Sequence, residues 1–98
     1  MARGDDGRDG AIAKRLRLLR KAEGEDSSSA WARRMNMSLP QYSNYEGGHP
    51  LSRDAAITLA TRVPGLTTDW LFMGREEGLS VDLCRRLRQA ALVDPDNS

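Results

Sequence analysis

The chain has 98 residues, 39% of them hydrophobic and 5% aromatic, and its 15 basic and 14 acidic side chains nearly cancel to +1. That length supports one hydrophobic core, and the composition suits a small helical bundle better than a large sheet protein. There is no apolar run long enough for a membrane span, no apolar stretch after Met1 of the signal-peptide kind, and one cysteine only, Cys84, so a cytoplasmic protein without an intramolecular disulfide is expected.

Residues 1–10 are rich in Gly, Asp and Arg and follow no period, which predicts a disordered arm, either solvated or laid along a groove. Residues 11–23 follow a helical period with Ile12, Leu16 and Leu19 inward and most cations outward. Leu18 falls off that stripe, where a partner or the C-terminal helix would cover it. Hydroxyl residues from Ser27 onward cap a second helix, in which Trp31 and Met35 are spaced i, i+4. Asn36-Met37 is then a tight connection, with Asn tolerant of a left-handed backbone.

Ser38 is an N-cap, and Pro40 sits where a missing N–H does no harm, so a third helix starts at about Leu39. Tyr42 and Tyr45 share one face of it; Leu39, Pro40, Gln41, Ser43 and Asn44 lie on the others, and Gly47-Gly48 ends it. Ser52 caps a helix containing Ala56, Leu59 and Ala60, stopped by Pro64-Gly65. Thr67 or Thr68 caps the next, and Gly74 terminates it. Residues 75–78 form a polar joint, and Ser80 caps a last helix reaching about Leu92. Its Leu79, Leu83 and Leu87 recur every four residues, a stripe that serves either dimerisation or packing onto its own bundle. Residues 94–98 are expected to fray. No internal repeat and no strand is evident.

Several of these pieces together resemble the phage-repressor-like helix-turn-helix domains, the class of lambdoid repressors and Cro proteins. Ile12-Ala-Lys-Arg-Leu-Arg-Leu-Leu-Arg20 with Gly24 is similar to the family's first helix. Residues 27–46 resemble the helix-turn-helix, ending in a Tyr-Glu-x-Gly pattern as Tyr45-Glu46-Gly47-Gly48. Ala55-Ala-Ile-Thr-Leu-Ala60 resembles the fourth helix, and Thr68-Asp-Trp-Leu-Phe-Met-Gly74 the Asp-Trp-Leu-x-x-Gly of the fifth. The resemblance covers residues 11–78 and implies an all-α, five-helix repressor-like bundle, to which residues 79–93 add a short C-terminal helix. Against the family pattern, the loop at Gly24-Glu25-Asp26 is one residue longer and Pro64-Gly65 is an insertion, both loop changes that leave a fold intact.

The function implied is that of a transcriptional regulator that binds double-stranded DNA as a homodimer, with residues 39–46 in the major groove. Leu39, Pro40, Gln41, Ser43 and Asn44 are then the base-contact candidates: Asn and Gln amides pair in bidentate fashion with adenine, and Leu39 or Pro40 meets a thymine methyl. Ser27 and Ser28 resemble the family's phosphate-contacting positions, where capping and phosphate binding coexist. His49 and Arg53 flank the loop after the third helix and are further phosphate candidates, His49 being equally readable as plain surface. Arg20 and Glu46, by the same resemblance, form an ion pair that orients the third helix.

Residues 11–62 hold nine basic and five acidic side chains, so a moderately positive centre is flanked by acidic ends and the attraction to DNA is modest and salt-dependent. The third helix, however, carries no Lys or Arg. That absence leaves open a protein-interaction adaptor, or an antitoxin that binds both a protein partner and its own operator. Enzyme chemistry has no foothold in the sequence. His49 and Cys84 are far apart, no metal-ligand spacing, phosphate loop or nucleophile elbow occurs, and neither metal nor cofactor is expected.

Overall fold

The computed structural model describes residues 3–93, which form six α-helices and no strand: α1 (Arg3–Ala22), α2 (Ser28–Arg34), α3 (Leu39–Glu46), α4 (Arg53–Arg62), α5 (Thr68–Met73) and α6 (Val81–Val93). Hydroxyl side chains start five of them. Ser27, Ser38, Ser52, Thr67 and Ser80 each accept a hydrogen bond from the amide three residues on, at 3.1–3.2 Å. None of the six helices is long and apolar enough to cross a membrane.

α1 is the axle of the bundle, packing against α3, α5 and α6, while α2 packs on α3 and α4 on α5. Its Ile12, Leu16 and Leu19 are buried together with Trp31, Met35, Tyr42, Leu59, Leu71 and Leu83, so every helix contributes to one core. Trp31 is fully enclosed; its Nε1 has no hydrogen-bond partner among the described residues, a penalty of about 1–3 kcal/mol that burial of the whole indole offsets. Arg34 lies over the same ring, 4.9 Å from its centroid.

Two expectations change here. The arm predicted for residues 1–10 is helical from Arg3 and continues into α1, each added residue closing one more hydrogen bond of an established helix despite the cost of three glycines. Residues 1–2 of that arm, and the tail expected at 94–98, lie outside the described residues. The leucine stripe is the second correction. Leu83 and Leu87 are buried at 0% and 4% exposure, so these two dimerisation candidates are taken up by the core, whereas Leu79 is half-buried against it and keeps part of its surface. The stripe packs with α1, whose Ile12, Leu16 and Leu19 lie in the same buried cluster, and Leu18 is half-buried against that cluster. α6 is accordingly an integral wall of the core.

The Pro64-Gly65 insertion has a definite task in this arrangement. Gly65, at φ +87°, accepts a hydrogen bond from the Ser80 amide at 3.1 Å, and a Cβ there would stand 2.2 Å from Ser80 Oγ. The glycine lets the cap of α6 dock on the turn after α4.

Charge continues the docking. Arg86 of α6 is paired with Glu23, at the end of α1, and with Asp82 at 3.1 Å. Arg34 of α2 reaches Glu25 at 3.2 Å and Glu23 at 3.7 Å.

Candidate nucleic-acid interface

α2 and α3 are joined by a connection of defined geometry. Asn36 is left-handed at φ 59°; its amide bonds the Arg33 carbonyl at 3.1 Å, and the Met37 amide returns to the Ala32 carbonyl at 2.9 Å. This pair of bonds is the Schellman termination, with Asn where glycine is usual, and it makes the tight connection expected at Asn36-Met37. α3 ends in the same way. Gly48 takes φ +103°, its amide bonding the Tyr45 carbonyl at 3.2 Å while the His49 amide bonds the Asn44 carbonyl at 2.9 Å. Both ends of this eight-residue helix are therefore fixed, the first by Ser38 and the second by the glycines.

One face of α3 is held rigidly. Tyr42 is fully buried and donates to the Leu16 carbonyl at 3.4 Å, and Tyr45 is half-buried, its hydroxyl 3.3 Å from Ser52 Oγ at the start of α4. Burial, reinforced by nearby Glu46, pushes the Tyr42 phenol well above its ordinary value of 10.0. A phenol pKa raised by folding contributes stability that is complete below the unfolded value and disappears as pH rises toward the folded one. Above about pH 10, stability is therefore expected to fall with an extra slope of about 1.4 kcal/mol per pH unit. Urea midpoints measured from pH 9 to 11 test this, since Tyr42→Phe abolishes that component; parallel slopes for the two proteins would contradict it.

α1 grips the far end of α3 with two arginines. Arg20 Nε and Nη2 meet the two Glu46 carboxylate oxygens at 2.8 and 3.3 Å, while Nη1 donates to the Glu25 and Asp26 carbonyls at 3.1 and 2.7 Å. The ion pair expected from the sequence thus forms, with side chains 9% and 11% exposed, and it also anchors the longer loop at 24–26. Burial works against the Arg20 charge, but the hydrogen bond and attraction of Glu46 outweigh it, so its pKa is raised. Arg17 donates to the Glu46 carbonyl at 2.8 Å, placing a cation at the negative end of α3, which has no basic residue in its own last turn. Arg15 does the same for α5, through the Leu71 carbonyl at 3.0 Å.

The other face of α3 is bare. Leu39, Pro40, Gln41, Ser43 and Asn44 are all exposed, and the Gln41 and Asn44 amide groups have no hydrogen-bond partner among the described residues. Ser27, exposed, and Ser28, half-buried, open α2; the Ser27 hydroxyl caps Ala30 and lies 2.9 Å from Ser29 Oγ. His49 and Arg53 are exposed on either side of buried Leu51, which pins the loop between α3 and α4. Comparison with known proteins gives no match: no family model, curated sequence or solved structure is similar to the chain.

The contacts also redistribute the positive charge counted in the sequence. Arg15, Arg17, Arg20, Arg34 and Arg62 donate to backbone carbonyls or carboxylates, so they hold the bundle together. Lys14, Arg33 and Arg53 are exposed and have no ion pair among the described residues. Reading by sequence alone missed this division, because the period of a helix tells which side a residue takes and not which carbonyl its guanidinium reaches.

Proposed function

We propose that the chain is a sequence-specific reader of double-stranded DNA, in which α2 and α3 form a helix-turn-helix and α3 lies in the major groove, and that it acts as a homodimer in transcriptional regulation. One observation carries the reading: α3 is capped at both ends, clamped from behind by Tyr42 and the Arg20–Glu46 pair, and presents an outward face of unsatisfied amide and hydroxyl groups. Such a face has the chemistry of base-edge recognition, and its fixed backing lowers the ordering cost of binding. Ser27, Ser28, His49 and Arg53 are the candidate phosphate contacts, and Lys14 and Arg33 are further exposed cations without an ion pair among the described residues. The resemblance to phage-repressor-like domains supports the same assignment. The reading assigns no catalytic step and no cofactor.

A second reading, an adaptor or antitoxin with weak DNA binding, is favoured by one feature, the lack of any cation on α3 together with a 44% exposed Leu39. Selection of random duplex DNA by the purified protein, followed by titration across salt concentrations, separates the two. The expected result is a recovered palindrome with half-sites about one helical turn apart. Recovery of only salt-sensitive, sequence-indifferent binding would overturn the DNA-reader assignment and leave the second.

A further inference from the structure

A helix leaves its last carbonyls without partners of its own, and in α3 the turn that follows satisfies all but the final one. The Gly47 amide bonds the Ser43 carbonyl at 2.9 Å, the His49 amide that of Asn44 at 2.9 Å, and the Gly48 amide that of Tyr45 at 3.2 Å. The Glu46 carbonyl has no amide to accept from. The residue four further on is Pro50, which has no N–H, and the His49 amide is committed to Asn44. Arg17 of α1 fills the vacancy at 2.8 Å, and it makes no other hydrogen bond or ion pair among the described residues.

α1 thus holds α3 at points of different kind. Tyr42 is buried and its hydroxyl donates to the Leu16 carbonyl, which fixes the middle of the helix. Arg20 acts on the end of α3 through the Glu46 side chain, whose rotatable bonds leave the main chain some travel. Arg17, one turn earlier on the same side of α1, grips the main chain of that end directly. A helix fixed only at its middle tilts about that point, and a second fixed point on its main chain sets the tilt. Ser43 and Asn44, two of the base-contact candidates, lie in the turn so held. A change in tilt would carry their side chains away from base edges while leaving their chemistry intact.

We propose that Arg17 is a positioning residue for DNA readout, setting the tilt of α3 through the Glu46 carbonyl without itself touching DNA. The inference rests on the DNA-reader assignment. The competing use of a half-buried cation beside that helix is a phosphate contact, and the two leave different signatures. Misplacing α3 costs affinity only where base edges have to be met, because those hydrogen bonds weaken steeply with distance and angle. Losing a phosphate contact weakens binding to every duplex and lowers the salt slope by about one.

The test uses the full chain as Arg17→Met, which keeps an apolar stem and removes the donor, and as Arg17→Lys, which restores a cationic one. Binding to the selected duplex and to a scrambled one is followed across salt concentrations, at a temperature where both variants keep the wild-type helical signal. In Arg17→Met, affinity for the selected sequence should fall about tenfold, as for mutations that act on a binding site without touching the ligand. Affinity for the scrambled duplex and the salt slope should stay at their wild-type values, and Arg17→Lys should recover part of the loss. Equal losses on both duplexes with a lower slope would make Arg17 a phosphate contact and overturn the proposal; wild-type affinity on both would leave the bond a matter of stability alone and overturn it too. Amide exchange of the free protein reads the clamp without DNA: in Arg17→Met the Gly48 and His49 amides should exchange at least about tenfold faster while those of α1 keep their protection. Unchanged exchange removes the clamp whatever the DNA result. A wild type with no preferred sequence overturns the DNA reading, and the exchange rates then still decide whether Arg17 holds the end of α3.

Discussion

Arg20→Ala is expected to lower stability by about 3 kcal/mol, which for a domain of this size moves the melting temperature by roughly 15 °C. Both charged partners are about nine-tenths enclosed, so removing the guanidinium leaves the Glu46 carboxylate with little water to replace it. The same change frees the Glu25 and Asp26 carbonyls, which Arg20 also holds. Glu46→Ala should cost less, because Arg20 keeps those two carbonyls. In the double variant the stranded carboxylate is gone, and stability should exceed that of Arg20→Ala alone by about 1 kcal/mol. Chemical denaturation of the three variants measures the cycle. Three equal losses below about 1 kcal/mol would make the pair an ordinary surface contact. Amide exchange adds a local signature, since residues 23–27 should lose protection in Arg20→Ala and retain it in Glu46→Ala.

That pair shows how far the sequence could be read. Its two members and their meeting were legible by resemblance, and so were the caps at Ser27, Ser38, Ser52 and Ser80, because a hydroxyl before a periodic run is a local signal. The left-handed Asn36 was equally local. What the sequence did not disclose are the contacts that depend on where helices meet. Nothing in the 14–20 segment distinguishes Arg15 and Arg17, which hold the ends of α5 and α3, from Lys14, which is exposed and makes no such contact. Pro64-Gly65 read as a neutral insertion until its approach to Ser80 tied it to α6. The leucine stripe on α6 was visible as apolar, but a stripe carries no name of its partner, and α1 is what covers it.

The candidate site divides along the same line. Exposure of Leu39, Pro40, Gln41, Ser43 and Asn44 follows from the burial of Tyr42 on one side of a helix of two turns, and is therefore a consequence of period alone. The rigidity of that face is not, since it arises from α1 and from the Tyr45 hydroxyl beside Ser52. A reading head needs both properties. Groups displayed on a mobile helix would lose in ordering what they gain in hydrogen bonds.

Replacing Gln41 and Asn44 together by alanine isolates the first property from the second. Both side chains are exposed and make no hydrogen bond among the described residues, so stability should change by no more than about 0.5 kcal/mol, alanine being at least as good a helix former. Affinity for the selected DNA sequence should fall by about a hundredfold or more, because a bidentate amide-to-adenine pair contributes about 1–3 kcal/mol of discrimination and two are lost. Affinity for unrelated duplex, and its dependence on salt, should remain as before, since neither residue is charged. Fluorescence anisotropy on matched and scrambled duplexes at two salt concentrations gives all three quantities. Unchanged affinity for the selected site would remove direct readout by these two side chains and place recognition on Leu39, Pro40 and the phosphate contacts. Arg20→Ala, assayed below its melting temperature, is the complementary case: its reading face is chemically intact and only its backing is loosened, so a loss of specific affinity there measures what rigid presentation contributes.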